Sequence, residues 1–249
     1  MKPREYVTMR AVEDWHWWYE GLRGVLKHHW NRYVSKENPV ILDVGCGTGA
    51  NMVLLENDGR CFGLDRSSKA IAFCRERGLK KIALASAGSL PYPSDTFDAA
   101  VSLDVLVHKW IQDKQAALDE MARILKPGGY LFLNLSAYQW LRSSHDVAVE
   151  QDWRTRAAEI RQMLNASGLE VERITYWNTL LFPAIAAVRL VRKCTRNQSE
   201  RSDFRHTQRT PLDFVCAGAL RLERCLLPWT SLPFGLSVFA VASKPLTER

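Results

Sequence analysis

The chain has 249 residues, of which 47% are hydrophobic and 24% charged. That composition excludes a disordered chain, and a domain of this size builds its core without disulfides or a structural metal. The net charge of +7 is unevenly spread: residues 189–249 carry 11 basic and 5 acidic residues, residues 1–188 carry 23 and 22. The basicity is densest at Arg189, Arg192, Lys193, Arg196, Arg201, Arg205 and Arg209. Such a stretch suits an anionic ligand, an anionic membrane surface or nucleic acid, or simply a solvated face. No apolar run reaches the ~18–20 residues of a membrane-spanning helix. The opening MKPREYVTMRAVEDWHWWYE lacks the apolar segment of a secretory leader. Cys46, Cys61, Cys74, Cys194, Cys216 and Cys225 form no C-x-x-C pair, which reads as reduced thiols and a cytoplasmic protein.

In chain order, residues 10–34 read as a helix crowded with aromatics: Trp15, Trp17, Trp18, Tyr19, Trp30 and Tyr33. Trp15, Trp18, Leu22 and Val25 or Leu26 share one helical face and read as packing, whereas Trp17 and Tyr19 fall off that stripe. Strands are predicted at 39–44, 61–65, 81–86, 97–105, 130–136, 169–177 and 236–243. Helices are predicted at 50–57, 68–78, 114–125, 151–166, 179–193 and 212–227. Strands alternating with helices imply an α/β fold: a doubly wound, Rossmann-like sheet of seven strands with helices on both faces. A single domain 1–249 is expected, divided into an aromatic cap (1–36), a core (37–177), a helical insert (178–234) and a last strand with tail (235–249).

Asp43-Val44-Gly45-Cys46-Gly47-Thr48-Gly49 follows a strand and opens a helix. Glycines there let a ligand approach the backbone closely. Asp65 ends the next strand, where a carboxylate reaches ribose hydroxyls. Gly45, Gly47 and Ala50 also satisfy G-x-G-x-x-A, so a nicotinamide or flavin dinucleotide and an oxidoreductase remain an alternative. An acid at Asp43 opposes it, because a carboxylate beside a pyrophosphate is repelled.

VILDVGCGTG, the acid of GLD, LPYPSDTFDAAVSLDVLVH and the E-x-x-R-I-L-K-P-G-G-Y-L run together resemble the class I S-adenosylmethionine-dependent methyltransferases. The similarity is to the small-molecule branch that includes ubiquinone and menaquinone biosynthesis enzymes, and it covers about residues 38–137. It implies S-adenosylmethionine as cofactor and a seven-stranded, mostly parallel sheet whose last strand is antiparallel. It also implies roles along the chain. Gly45, Gly47 and Gly49 pass the methionine part, with Asp43 near its amino group. Asp65 holds the ribose, and Arg66 flanks the adenine. Ser86 and Ala87 fall where the family contacts the adenine amine, although Ser86 replaces its usual aspartate. Leu103 ends the fourth strand beside the methionine moiety.

Methyl transfer from a sulfonium needs alignment and dryness, and a general base only if the acceptor holds a proton. His145, after the fifth strand, and His108, after the fourth, are the candidate bases. Trp17, Tyr19 and Tyr138 are candidate acceptor contacts, and the cysteines show no metal spacing. Residues 102–105, Ser-Leu-Asp-Val, lack the Asn/Asp-Pro-Pro-Tyr motif of exocyclic-amine base methylation. The expectation is therefore a small, largely apolar acceptor, no nucleic-acid partner, and peripheral membrane contact through 178–227.

Overall fold

The computed structural model describes residues 1–194 and 208–246. Arg196, Arg201 and Arg205 of the basic stretch lie outside the described residues. The described residues form seven strands: β1 (Val40–Val44), β2 (Arg60–Asp65), β3 (Ile82–Leu84), β4 (Phe97–Leu103), β5 (Leu125–Ser136), β6 (Glu170–Trp177) and β7 (Ser237–Ser243). They form one sheet in the order β3-β2-β1-β4-β5-β7-β6. Only β7 is antiparallel, to both β5 and β6. Strand order reverses between β1 and β4, so a crevice opens above their carboxyl ends, the place where sheets of this kind bind ligands.

Side chains alternate across the sheet and separate two cores. Leu42 and Val44 face a cluster built with α5 (Lys114–Ile124) and α7 (Ala157–Ala166). Ile41 faces the other, built with α2 (Trp17–Tyr33), α3 (Ala50–Leu55) and α9 (Pro211–Arg224). On α2 the buried residues Leu22, Val25, Leu26, His29 and Trp30 follow helical spacing, and Trp30 packs on Phe132 at 5.3 Å. Gly21 faces Leu220 and Trp177, so α9 crosses α2 where a β-carbon would collide. Buried Glu223 of α9 accepts hydrogen bonds from the backbone N–H groups of Asn178, Thr179 (2.7 Å) and Leu180 (3.0 Å). That ties α9 to the segment entering α8 (Phe182–Cys194). No described helix is long and apolar enough to cross a membrane.

Three expectations change. The helical segment 10–34 is two helices, α1 (Pro3–Val12) and α2, divided at 13–16. The chain turns there because Glu13 is buried by partners distant in sequence, Thr48 and Arg77. The fourth strand stops at Leu103, and Asp104 adopts a φ of +56°. Residues 151–156 are not helical, since Tyr138 N donates to Thr155 O (3.0 Å) and Thr155 N to Ser136 O (3.1 Å). The short α6 (Ser144–Ala148) was not expected.

Helix α4 (Ser68–Glu76) is capped by Ser67, and α5 by Asp113, whose Oδ1 accepts from Ala116 N at 2.8 Å. Asp113→Ala is expected to cost about 0.5–2 kcal/mol, the usual loss of an N-cap. The urea midpoint should fall with an unchanged slope.

Candidate active site

The loop after β1 turns tightly. Gly45, Gly47 and Gly49 have φ of +78°, +55° and +90°, conformations that a side chain resists. A β-carbon on Gly45 would strike Val105 of the loop after β4, and one on Gly47 would lie 2.7 Å from Met9 Cε of α1. Gly45 N and Cys46 N donate to Leu64 O, binding this loop to β2 (2.8 and 2.9 Å). Asp65 at the end of β2 accepts from Gly47 N (3.1 Å), Ser67 N (2.8 Å) and the Tyr6 hydroxyl (3.1 Å). Asp43 is buried behind the loop with Oδ2 unpartnered among the described residues. Burial foremost, then the charges of Asp65 and Glu13, push its carboxyl up to about 7.

Helix α1 roofs this end of the crevice. Glu13 accepts from the Thr48 hydroxyl and pairs with Arg77 at the end of α4 (2.7 Å). Arg77 Nε in turn donates to Thr48 O (2.9 Å).

Beneath α1 lies a cavity of about 570 Å³. Gly45, Gly47, Asp65 and Leu103 line it, together with Trp17, Tyr19, His108 and His145. Asp43 and Gly49 stand behind the loop. Arg66, Ser86, Ala87 and Tyr138 do not line the cavity. Arg66 lies over the Trp110 ring at 4.7 Å, Ser86 is exposed in a turn, and Tyr138 stacks on Tyr176 at 5.4 Å. Burial pushes His108 down to about 4, so its ring is neutral at pH 7. The carboxylate of Asp146, beside His145 in sequence, is held by Arg154 (2.7 Å) and by Ser143 N (2.7 Å).

The sequence pattern gave no role to Asp104. Its carboxylate lines the cavity directly after Leu103. Oδ2 accepts from Asn134 Nδ2 (2.7 Å) and Oδ1 from Ser136 Oγ (3.4 Å), while Asn134 Oδ1 accepts from Trp177 Nε1 (2.7 Å). Burial pushes the Asp104 carboxyl up to about 7 against these bonds. Tyr19, also in the wall, is driven well above its ordinary value by burial first and then by Glu13 and Asp104. A left-handed, non-glycine backbone at the carboxyl edge of a sheet is the kind of strain that positions a functional group.

The strand order separates this fold from the dinucleotide sheet, whose sixth strand lies parallel beside the fifth. Here antiparallel β7 takes that place. Residues 42–133 match a family described as a methyltransferase domain. This span therefore carries a methyltransferase domain, the domain of an enzyme, and the cofactor that such a domain implies is S-adenosylmethionine. The residues fit that group: Asp65 presents acceptors for a ribose diol, and Gly45 and Gly47 present bare backbone to the cavity.

An Arabidopsis thaliana tRNA (carboxymethyluridine(34)-5-O)-methyltransferase is 32% identical over 123 residues, 48% of this chain and 28% of that protein. The chain thus spans well under half the length of that relative. A Haloferax volcanii structure, a complex between the Trm112 methyltransferase activator and a methyltransferase, shares the fold with a TM-score of 0.63 at 21% identity, covering 98% and 97% of the two chains. The geranyl diphosphate C-methyltransferase of Streptomyces coelicolor, bound to S-adenosyl-L-homocysteine, has a TM-score of 0.56 at 16% identity, covering 88% and 77%. The Arabidopsis relative corrects one expectation. A protein this similar is named for modifying tRNA, so the exclusion of a nucleic-acid partner does not hold.

If Asp65 holds the ribose, Asp65→Ala should weaken cofactor binding by about 1–3 kcal/mol, the cost of a lost charged acceptor. Calorimetry with S-adenosyl-L-homocysteine measures this directly. Unchanged affinity would remove Asp65 from the cofactor site.

Proposed function

We propose that the chain transfers a methyl group to a small acceptor with an apolar body, seated in this cavity. The observation that carries this is the lining there. Leu181, Ile185 and Val188 of α8 and its approach meet Val215 of α9 and Trp17 of α2, with Arg189 and Arg192 beside them. Apolar walls with a few polar groups are the usual make-up of a small-molecule site.

The bound cofactor supplies an activated methyl group on a positive sulfur. The chain's part is to hold the acceptor in line and dry. Trp17 and Ile185 exclude water, and Tyr19, held as a neutral phenol, offers a hydroxyl. Asp104 takes the proton that the acceptor loses. Its carboxylate is fixed by Asn134 and Ser136 rather than free to rotate, which favours transfer from one direction.

A polynucleotide acceptor is the second reading, favoured by the Arabidopsis relative and by the basic C-terminal quarter. Only the base at its reacting end would then enter the cavity. Incubating the protein with methyl-tritiated S-adenosylmethionine and fractionated cell extract separates the two. Label in the small organic-soluble fraction supports the first reading. Label in RNA alone overturns it.

A further inference from the structure

A second cavity, of about 330 Å³, lies between α2, α3 and α9. Among the described residues its wall holds four cations, Arg23, Lys27, Arg221 and Arg224, against one carboxylate, Glu20. The room comes from Gly21 and Gly24, one helical turn apart on α2. The Arg224 guanidinium lies across Gly24, where a β-carbon would collide with it.

The cations are unequally satisfied. Lys27 pairs with Asp58 (2.5 Å), and Arg23 spends one N–H on the backbone oxygen of Glu13 (2.7 Å). Glu20 is shared between Arg209 and Arg221, the latter 3.8 Å away. The Arg224 guanidinium has no hydrogen-bond or ion-pair partner among the described residues, while its backbone oxygen accepts from Leu227 N (3.3 Å). His28 lies on the same helix as Arg23 and Lys27. Burial and then Arg224, Arg32 and Arg173 hold its imidazole below its ordinary value.

We propose that this cavity is a binding site for a phosphate group, separate from the methyl-transfer site and sharing only Arg23 with it. Forked guanidinium donors around one cavity open to solvent match the several oxygens of a phosphate better than the two of a carboxylate. The site does not depend on which acceptor the enzyme uses. Its phosphate comes either from a small phosphorylated ligand or from the backbone of an RNA.

The test is binding of radiolabelled inorganic phosphate, and of a fluorescent single-stranded RNA, to the wild type, Arg224→Gln and Arg221→Gln. Arg221 is 70% exposed, so its variant keeps the fold if Arg224→Gln does not. S-adenosyl-L-homocysteine affinity on the same samples reports an intact cofactor site. Each variant should bind phosphate about tenfold more weakly, one charge-assisted contact, with cofactor affinity unchanged. A parallel loss of RNA binding, competed by phosphate, assigns the group to a polynucleotide. RNA binding untouched by the variants assigns it to a small ligand. Phosphate affinity equal in wild type and both variants, or no binding beyond that of chloride at matched ionic strength, overturns the proposal.

Discussion

Replacing Asp104 with asparagine is expected to lower turnover by about 10²–10⁴-fold, the usual contribution of a positioned base. The carboxamide keeps an oxygen to accept from Asn134 but has no basic lone pair at neutral pH. The wild type should also show a pH limb that the variant lacks. Burial holds the Asp104 carboxyl at about 7, so its ionised fraction, and the rate, rise as pH climbs through that value. The folding effect has the opposite sign. A carboxyl whose value is raised in the folded state binds protons more tightly there than in the unfolded chain, so its ionisation opposes folding above the unfolded value. Asp104→Asn should therefore be at least as stable as wild type at pH 8, and its low activity cannot be blamed on unfolding. Steady-state rates from pH 5.5 to 8.5, with thermal melts alongside, decide the matter. Full activity in the variant removes Asp104 from the chemistry and returns His145 and His108 to first place.

The second large effect concerns stability. Arg154 and Asp146 form an ion pair shut away from solvent, with Arg154 Nη1 also donating to Ala137 O (3.0 Å). Arg154→Met should cost about 3–5 kcal/mol, because it strands a buried carboxylate. Burial pushes the Asp146 carboxyl up, but Arg154 and the Ser143 N–H outweigh it and hold it below its ordinary value. A carboxyl lowered by folding contributes stability above its unfolded value of about 4. The contribution is lost as pH falls through the folded value. The gap between wild type and variant should accordingly narrow in acid. Adding Asp146→Asn to the variant should recover part of the loss, since the stranded charge is gone. Urea titrations at pH 7.5 and pH 4 measure all three chains. A variant within 1 kcal/mol of wild type at pH 7.5 would mean that the pair is worth no more than a surface bridge.

Much of the fold could be read from local pattern. Apolar runs bounded by turn-rich loops marked the strands of the sheet, and the acids Asp43 and Asp65 stood at strand ends where a parallel sheet gathers its ligand contacts. The same signal marks Asp104, but only once β4 is seen to stop at Leu103. The run FDAAVSLDV reads as unbroken strand, and nothing nearby in sequence announces a left-handed residue. What stayed illegible was set by distant partners. Glu13 breaks the N-terminal helix because Thr48 and Arg77 receive it, 35 and 64 residues away. Residues 151–156 have helical composition, yet their backbone hydrogen-bonds to the segment after β5 instead, and Arg154 is drawn to Asp146. Ser86 fell at the expected position in the chain but outside the cavity wall, which spacing alone cannot reveal.

The distribution of tryptophan gives the protein an optical readout of its own state. Trp17, Trp18 and Trp110 line the cavity, Trp18 with its ring 5.9 Å from Trp177 and Trp110 beneath the Arg66 guanidinium. Trp30 and Trp177 are sealed in the core, at 2% and 0% exposure, and do not line the cavity. Trp229, 86% exposed, contributes a constant red-shifted component. Quenching or a spectral shift on titration therefore reports the indoles at the cavity wall. Occupancy by cofactor or acceptor becomes measurable without a label, by the light of the residues that enclose it.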